Sequence, residues 1–469
     1  MIKIVRNWID LCIPDHHGFL LTIYSERDDP RFSDFFKDFG KTVEFFQDPP
    51  REIIKRIHDC AKTNSAQIVV FEIGGTVGEY QNLLFLEANR LLKLQFPKDV
   101  IHIHLTYLPI PSALGEMKSK PAQMSILQLA QAGIHADFVL ARSQVAVDEK
   151  RKEKIAISCG IDPEGIISAP DVESIYQVPL NFENQKLSDK ILKKLNTKPK
   201  TSDISAWKVM VNNTLTAKNT AKIAMVGKYF STGDFTLADA YLSVIESIRH
   251  ASSHYDIKPK IAWIDSAQIE KEGADILKDY DGIVVPGGFG SRAVEGIVSA
   301  IKFARGNKVP YFGLCYGLQQ ATVEFARHVC GFADANTTEI DPKTKHPVVH
   351  IMENQKEILK AKNLGGTMRL GSWDWIAKKG TIFEKAYKST TGADRHRHRY
   401  EFNNEYRKIF EEKGMVISAT TKDGLLVEAL ELTNHPFFVG VQFHPELKSR
   451  PLHPHPLYMA FMEAVSKQK

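Results

Sequence analysis

The stretch that decides the fold runs from Val309 to Gln319 and reads VPYFGLCYGLQ. A β-branched and aromatic run, typical of a buried strand, ends at Cys315, and a helical pattern begins there. Gly313 and Gly317 flank the cysteine at two-residue spacing. This pattern predicts a sharp strand-to-helix turn that leaves the thiol exposed over a sheet and close to a helix N-terminus. A helix N-terminus favours the thiolate, which is the nucleophilic form of cysteine.

A second motif, VGVQFHPEL at residues 439–447, supplies a base for that thiol. His444 can take the thiol proton, and Glu446 can orient the imidazole from two residues away. Taken singly, a buried cysteine and a surface histidine are more often structural than catalytic. The tight motifs around both residues favour the catalytic interpretation.

A third element, DGIVVPGGFGSR at residues 281–292, supports the same chemistry. It reads as an apolar strand that runs into a glycine-rich turn, Gly287–Gly290. Such a turn can direct backbone N–H groups at the oxyanion that forms in acyl transfer. The three elements together predict an enzyme that hydrolyses an amide through a cysteine thioester.

The composition fits a protein of several domains that binds anionic small molecules. The chain has 469 residues, of which 43% are hydrophobic, enough for two or three domains with their own cores. A net charge of +5 without a long Lys/Arg tract suits nucleotides and argues against nucleic-acid binding. No apolar run approaches the roughly 20 residues of a membrane span. Five scattered cysteines form no disulfide framework, and the start lacks a secretion signal, so we predict a cytoplasmic protein.

The order of strand-like and helical patterns predicts an α/β protein with two open, mostly parallel sheets. A Lys/Thr/Asn/Ser-rich segment between the two blocks reads as a linker with one short helix. We predict four parts: an unrecognised segment at 1–40, a first domain at 41–194, a linker at 195–221 and a second domain at 222–469. Ligands of such sheets bind at the carboxyl ends of strands, where Cys315 and the glycine-rich turn fall.

The motifs PGGFG, GLCYGLQ and QFHPE resemble those of class I glutamine amidotransferases, the modules that release ammonia from glutamine. Three more stretches narrow the resemblance to the CTP synthase family: EFARHVCGFADANTTEI at 324–340, NLGGTMRLG at 363–371 and DRHRHRYEFNN at 394–404. The resemblance implies a flavodoxin-like second domain with Cys315, His444 and Glu446 as the catalytic triad. It also implies a set of glutamine-binding residues, Gly288, Tyr316, Gly317, Leu318, Gln319, Glu339 and Arg399.

Charge chemistry agrees with two of these implied contacts. Arg399 can pair with the carboxylate of glutamine, and Glu339 with its ammonium. The alternating histidines and arginines of 395–399 have two other interpretations, a solvated basic strand or a metal-binding patch. The arginines would repel a cation, so we discount a metal there.

The first domain carries two loops suited to a nucleotide. In EIGGTVGEYQ, residues 72–81, Glu72 follows a strand and can hold Mg²⁺ on phosphates that approach the adjacent glycines. In GEMKSKPAQ, residues 115–123, two lysines suit a triphosphate. Taken alone, the first stretch is equally well an ordinary tight turn and the second a solvated loop.

The same loops resemble the synthetase half of the CTP synthase family, a P-loop NTPase-like domain that binds ATP, UTP, Mg²⁺ and the inhibitory product CTP. The resemblance implies Glu72 as the metal ligand and a set of nucleotide-binding residues, Glu79, Tyr80, Gln81, Lys118, Ser119, Lys120, Pro121, Ala122, Gln123, Lys154 and Val172. Four positions depart from the family pattern, because Glu79 replaces Asp, Gln81 replaces Glu, and Ser119 and Ala122 replace threonines. We expect the first two changes to weaken contacts with the product.

The phosphate loop that opens the family pattern, ending in Gly-Lys-Gly, has no counterpart here, and neither has the magnesium-binding Asp that follows it. The Gly-Lys-Thr at Gly40–Thr42 has Phe35 where a phosphate loop needs its first glycine. We therefore expect an unrecognised segment at 1–40 followed by a truncated synthetase domain. Without the phosphate loop, ATP binding by that domain is in doubt.

Three functions follow from these expectations. The first is a CTP synthase, which uses ATP and ammonia from L-glutamine to aminate UTP, with GTP as activator and CTP as feedback inhibitor. The second is a stand-alone glutaminase with an inactive synthetase half, and the third is a non-enzymatic nucleotide-binding subunit that regulates intact synthase. The resemblance also implies a homotetramer where the synthetase half is intact.

Overall fold

The computed structural model describes residues 2–6, 48–199, 203–228, 231–232, 235–236, 241–351 and 368–468. The chain divides into two compact units, Met1–Ile204 and Ser205–Lys469, and the division falls inside the segment predicted as a linker. The Gly-Lys-Thr at Gly40–Thr42 lies outside the described residues. So does the predicted segment 1–40, apart from Ile2–Arg6.

The first unit consists of short parallel strands that alternate with helices. Its elements in chain order are β1 (Ile2–Arg6), α1 (Asp48–Thr63), β2 (Ile68–Glu72), α2 (Leu83–Gln95), β3 (Ile103–Tyr107), α3 (Lys120–Gln131), β4 (Phe138–Ser143), α4 (Glu149–Cys159), β5 (Ile166–Pro170), α5 (Val178–Asn184) and α6 (Leu187–Lys194). Strand β1 pairs in parallel with β2, and β3, β4 and β5 form a second parallel sheet. The alternation of strands and helices predicted for this part of the chain is therefore confirmed.

Local sequence signals explain where helix α4 of this unit begins and ends. The side chain of Asp148 accepts a hydrogen bond from the backbone N–H of Arg151 at 2.9 Å, which satisfies a free donor of the first turn. Gly160 ends the helix in the left-handed conformation, with φ of +66°. The hydrogen-bonding cap and the glycine together set both ends of α4.

Strand β3 reverses the burial that its sequence suggests. Its polar residues His104 and Thr106 are buried, and His104 Nε2 lies 2.8 Å from Ser125 Oγ of α3. Its apolar residues Ile103 and Leu105 are 43% and 59% exposed. The polar face of β3 is therefore the one that faces α3, and this hydrogen bond compensates part of the cost of burying His104.

The second unit is larger and contains one long sheet. Its elements are α7 (Ser205–Thr216), β6 (Asn219–Gly227), β7 (Ser231–Thr232), β8 (Phe235–Thr236), α8 (Leu242–Ser252), β9 (Ile257–Asp265), α9 (Ser266–Glu272), β10 (Gly282–Val285), α10 (Val294–Gly306), β11 (Tyr311–Leu314), α11 (Tyr316–His328), β12 (Asn336–Thr337), β13 (Pro347–Ile351), β14 (Arg369–Ala377), α12 (Ile382–Tyr387), β15 (Thr391–His398), β16 (Tyr400–Phe402), α13 (Arg407–Glu412), β17 (Met415–Thr420), β18 (Val427–Leu432), β19 (Phe438–Val441) and α14 (Pro456–Ser466). Helix α7 lies within the predicted linker.

Nine strands form the main sheet in the order β15-β14-β17-β18-β19-β11-β10-β6-β9. The five strands from β19 to β9 are parallel, and the four from β18 to β15 continue the sheet antiparallel. The parallel part is apolar on both faces, because Ile283 and Val285 of β10 pack into one core cluster and Val284 into another. Helices that cover both faces of such strands make this unit an open α/β sheet, as predicted.

None of the helices in the described part of the chain is long and apolar enough to cross a membrane.

Candidate functional site

The site forms where four neighbouring parallel strands end. Cys315 follows β11, the turn Gly287–Gly290 follows β10, Lys228 follows β6, and His444 lies three residues beyond β19. These strands are adjacent in the order β19-β11-β10-β6, so their carboxyl ends share one edge of the sheet. The topology thus gathers residues that are more than 200 positions apart in the sequence.

Cys315 occupies a strained turn between β11 and α11. Its backbone has φ of +49° and ψ of −94°, a region that residues other than glycine rarely adopt. The two flanking glycines are required by close packing: a Cβ on Gly317 would lie 2.3 Å from Val285 O, and one on Gly313 would lie 2.6 Å from the Tyr311 hydroxyl. The predicted strand-to-helix turn is therefore present, with its glycines explained.

The thiol itself is buried, contrary to the expectation of an exposed thiol. Cys315 is only 5% exposed. Its N–H donates to Val441 O at 2.7 Å, Gln442 Nε2 lies 3.7 Å from its sulfur, and Arg397 O lies 4.0 Å from the same sulfur. The end of β19 and the residues of β15 bring these groups to the cysteine, which a single sequence motif does not reveal.

His444 and Glu446 form a partly buried pair beside the cysteine. The distance from His444 Nδ1 to Glu446 Oε1 is 2.8 Å. The His444 backbone N–H donates to Arg395 O of β15 at 2.7 Å, which fixes the residue against the neighbouring strand. A Cβ on Gly287 would lie 2.8 Å from His444 Cε1, so only glycine fits against the imidazole ring. The structure therefore brings the three predicted triad residues and the glycine-rich turn to one place.

The charges in this group favour an imidazolium. Burial alone would lower the pKa of His444, but the negative charges of Glu446 and Cys315 raise that pKa overall, to about 10. A charged histidine beside a thiolate is the arrangement that activates cysteine nucleophiles. The group can therefore supply both an attacking sulfur and a proton for a leaving group.

The glycine-rich turn is held by charged and polar side chains. Gly290 N–H donates to Glu339 Oε1 at 3.0 Å, and Gly290 O accepts from Lys228 Nζ at 2.8 Å and from the Tyr316 hydroxyl at 2.8 Å. Burial raises the pKa of Glu339, although the Gly290 N–H and the charge of Lys228 oppose that rise. Sequence reasoning missed Lys228, whose only signal was a lysine directly after an apolar strand.

The other implied glutamine-binding residues lie in the glycine-rich turn, in α11 and beside Tyr400. A Cβ on Gly288 would lie 3.5 Å from the ring of Tyr316, and Leu318 is fully buried in α11. Gln319 donates through Nε2 to Tyr400 O at 3.1 Å, which ties α11 to the segment that carries Arg399. Burial raises the pKa of Tyr400, the charge of Glu339 raises it further, and that of Arg399 lowers it. Glu339 and Arg399 therefore both lie near Tyr400.

A buried network of charged groups lies along β15, next to the triad. His396 and His398 are buried, whereas Arg397 between them is exposed. Arg369 Nη2 donates to Glu428 Oε1 at 2.5 Å, and His396 Nε2 binds the other oxygen of Glu428. The interpretation of this stretch as a solvated basic strand is therefore wrong for the two histidines, because the sheet buries their face.

The network continues to Glu401. Arg369 Nη1 lies 3.4 Å from Glu401 Oε1, and the whole group is at most 6% exposed. Burial raises the pKa of Glu401 to about 8; the charge of Glu428 raises it further and that of Arg369 lowers it. Burial also lowers the pKa of His398, and the charges of His396, Arg369 and His444 lower it further. Sequence reasoning missed this network because its members are up to 59 residues apart.

The first unit places its implied nucleotide residues in three regions. Glu79 accepts from Thr76 N at 3.1 Å and from Thr76 Oγ1 at 2.6 Å, which lower its pKa. Tyr80 beside it is 94% exposed. Gln81 belongs to the same short 3₁₀ helix, Tyr80–Asn82, and its side chain lies outside the described atoms. Val172 follows β5 and is half-buried.

The lysine loop leads into α3. Lys118 Nζ donates to Glu116 Oε2 at 2.7 Å, and Glu116 also accepts from Arg151 of α4 at 3.2 Å. Four more implied residues follow in the loop and the first turn of α3: exposed Lys120 and Pro121, and buried Ala122 and Gln123. Gln123 Nε2 donates to the buried Ser119 Oγ at 3.2 Å, and Lys154 lies exposed on α4. The loop and α4 are therefore linked through Glu116 and Arg151.

The family resemblance implies one protein ligand for magnesium in this unit. Glu72, at the end of β2, is exposed, and no group of three or more His, Cys, Asp or Glu side chains suited to a metal occurs in the described residues. Mg²⁺ on a nucleotide is commonly held by one or two carboxylates, the phosphates and water. A lone exposed carboxylate at a strand end fits such an ion only together with the nucleotide.

Two family models match the chain. The model described as CTP synthase N-terminus matches residues 33–197, and the model described as glutamine amidotransferase class-I matches residues 236–464. The first match takes in both predicted nucleotide loops, and the second takes in Cys315, His444 and Glu446.

Named relatives match over most of the chain. A CTP synthase of Listeria innocua serovar 6a is 45% identical over 432 residues, which cover 92% of this chain and 80% of the relative. A CTP synthase of Carboxydothermus hydrogenoformans is 46% identical over 430 residues, 91% of this chain and 79% of the relative. Among solved structures, the glutaminase domain of Trypanosoma brucei CTPS with bound acivicin is 39% identical; the match covers 53% of this chain and 94% of that one, with a TM-score of 0.49.

Proposed function

The chain belongs to the CTP synthase family, and from that premise we propose that Cys315 releases ammonia from glutamine for the amination of UTP to CTP. One observation carries this proposal. The ends of β19, β11 and β10 bring a partly buried His–Glu pair, a strained cysteine and a glycine-rich turn to the same edge of the sheet. That combination is what amide hydrolysis through a thioester requires.

The proposed glutaminase step begins with the Cys315 thiolate, which attacks the side-chain carbonyl carbon of glutamine. The carbonyl oxygen takes up the electron pair, and backbone N–H groups of Gly287–Gly290 and of the first turn of α11 stabilise that oxyanion. His444 donates its proton to the departing nitrogen, so ammonia leaves and a glutamyl thioester remains. His444, now neutral, then takes a proton from water, whose oxygen attacks the thioester and releases glutamate and the thiolate.

The amino-acid end of glutamine would be held by two opposite charges. We assign the substrate ammonium to Glu339 and the substrate carboxylate to Arg399, with the remaining implied residues around them. Both charged groups lie near Tyr400, and Glu339 also contacts the glycine-rich turn. Glu339 would therefore take part both in recognising the substrate ammonium and in holding the turn that stabilises the oxyanion.

The first unit would bind the nucleotide substrates. Membership of the family implies that UTP and ATP are used, and we assign them to the region of Glu79–Gln81, Lys118–Gln123, Lys154 and Val172. Glu72 would contribute one oxygen to a Mg²⁺ ion that neutralises phosphate charge. GTP activation, inhibition by CTP, a homotetramer and a cytoplasmic location belong to the same proposal; the last rests on cysteine usage.

Two assays on the purified full chain test the proposal. The first measures glutamate released from glutamine, with and without GTP, and the second measures CTP formed from UTP, ATP and Mg²⁺ with glutamine or ammonium chloride. Glutamate together with CTP supports the whole proposal. Glutamate without CTP from either donor would mean a stand-alone glutaminase, and release of neither product would contradict the catalytic assignment and favour a regulatory subunit.

Glu446→Gln is expected to narrow the pH range of glutamate release. The charge of Glu446 raises the pKa of His444, so its loss lowers that pKa and removes the imidazolium at a lower pH. The alkaline limb of kcat/KM should therefore move to lower pH, and kcat should fall by about 10²-fold. The measurement is a pH profile of both variants, with Glu463→Gln on the exposed surface of α14 as control. An unchanged alkaline limb would contradict the assignment of His444 as the acid.

A further inference from the structure

Lys228 is a buried lysine that the mechanism above does not use. It directly follows β6, and only 5% of the residue is exposed. Removing an ammonium group from water is unfavourable unless strong hydrogen bonds replace the lost hydration. Burial lowers the pKa of Lys228 to about 8, although the charges of Glu339 and Glu270 oppose this effect. The hydrogen-bond partners of the ammonium group, Gly290 O and the Tyr316 hydroxyl, both belong to the site described above.

The oppositely charged side chains of Lys228 and Glu339 bind the backbone carbonyl and the backbone N–H of Gly290. Lys228 Nζ donates to Gly290 O at 2.8 Å, and Gly290 N–H donates to Glu339 Oε1 at 3.0 Å. Gly290 has φ of +79°, which a residue with a side chain rarely adopts. Lys228 and Glu339 thus restrain the last residue of the glycine-rich turn from both sides.

The same ammonium also contacts the residue after the nucleophile. Lys228 Nζ lies 3.1 Å from the Tyr316 hydroxyl and 4.9 Å from the centroid of its ring, and that hydroxyl donates to Gly290 O at 2.8 Å. Tyr316 opens α11 directly after Cys315, and its ring packs under Gly288. A closed set of contacts therefore joins the glycine-rich turn to the helix that carries the nucleophile.

We propose that Lys228 is a positioning residue that holds the Gly287–Gly290 turn in the geometry that receives the oxyanion. Together with Glu339, it couples binding of the substrate ammonium to that geometry, because Glu339 serves both the ammonium and Gly290. This inference rests on the proposed glutaminase activity. A purely structural lysine would support the fold without a specific effect on the chemical step.

The test compares Lys228→Met with Lys228→Arg and with Lys278→Met, the same change at an exposed position. Glutamate release gives kcat and KM, and alkylation of Cys315 by iodoacetamide gives the reactivity of the thiolate, which needs no oxyanion site. We expect Lys228→Met to lower kcat by about 10–10²-fold, while alkylation changes by less than about twofold. Lys228→Arg should recover part of kcat, and Lys278→Met should behave as wild type.

A second variant covers the case in which Lys228→Met does not fold. Tyr316→Phe removes only the hydroxyl that links Lys228 to Gly290, and we expect it to lower kcat by about threefold to tenfold, the effect of one hydrogen bond. An unchanged kcat in the folded variants, or a parallel fall in alkylation and kcat, would overturn the positioning role. Absence of glutamate release in the wild type would instead overturn the proposed function, and the inference with it.

Discussion

Replacement of Cys315 by alanine is expected to abolish glutamate release, with kcat/KM at least about 10⁴-fold below wild type. The sulfur is the only protein atom in the proposed mechanism that forms a covalent bond to the carbonyl carbon of glutamine, so the remaining groups can bind glutamine but cannot cleave it. Binding itself should persist, because Glu339 and Arg399 are unchanged. The measurement is glutamate formation under saturating glutamine, with and without GTP.

Two controls make the Cys315 result specific. Cys330→Ala removes a partly buried thiol that packs against the core of the same unit and should retain wild-type glutamate release. Formation of CTP from ammonium chloride, where the wild type shows it, should be unchanged in Cys315→Ala, since added ammonia replaces the glutaminase step. Full glutamate release by Cys315→Ala would remove the triad assignment altogether.

The largest effect on stability is expected for Glu428→Ala, at about 3–5 kcal/mol of unfolding free energy. Glu428 is fully buried and binds both Arg369 and His396, so its loss leaves the Arg369 charge buried without its closest partner. Urea unfolding followed by tryptophan fluorescence measures the loss, because buried Trp375 lies in the same sheet. Glu412→Ala, which removes an exposed ion pair with Lys408 at 3.9 Å, should change the free energy by less than about 1 kcal/mol.

A double variant distinguishes the effect of an uncompensated buried charge from the effect of lost packing at Arg369 and Glu428. If uncompensated charge causes the loss, Arg369→Met combined with Glu428→Leu should destabilise the protein less than the two single changes summed. Additive losses would show that packing rather than charge dominates at this position. Glu428→Ala should also reduce glutamate release, because Glu428 binds His396 of β15. The backbone carbonyl groups of β15 contact the His444 N–H and the Cys315 sulfur.

The elements that carry the chemistry were predictable from the sequence because their signals are local. The glycines around Cys315 and in Gly287–Gly290 are required by close backbone contacts and an unusual turn, and such requirements leave short, recognisable motifs. The parallel strands were equally clear, because strands buried on both faces read as uninterrupted apolar runs. Their carboxyl ends then had to meet at one edge of the sheet.

The antiparallel half of the sheet and the charged groups near the site were less predictable. In β15, buried His396 is paired with Glu428, which lies on another strand of the same sheet. In β3, the face that carries His104 is buried and bonded to α3, whereas the apolar face is exposed. Both outcomes depend on partners distant in the sequence, which periodicity within one segment does not record.

By itself, then, the sequence determined that the fold is α/β and that Cys315 lies at a strand-to-helix turn, and it predicted Cys315 as the nucleophile with His444 and Glu446 as its partners. Only the tertiary structure decided that the thiol is buried and that Lys228 restrains the turn from the end of another strand. The physical reason is the range of the interactions. Turn geometry is set by residues adjacent in the chain. The burial of a side chain and its charged partners are set by residues that are distant in the sequence and close in the fold.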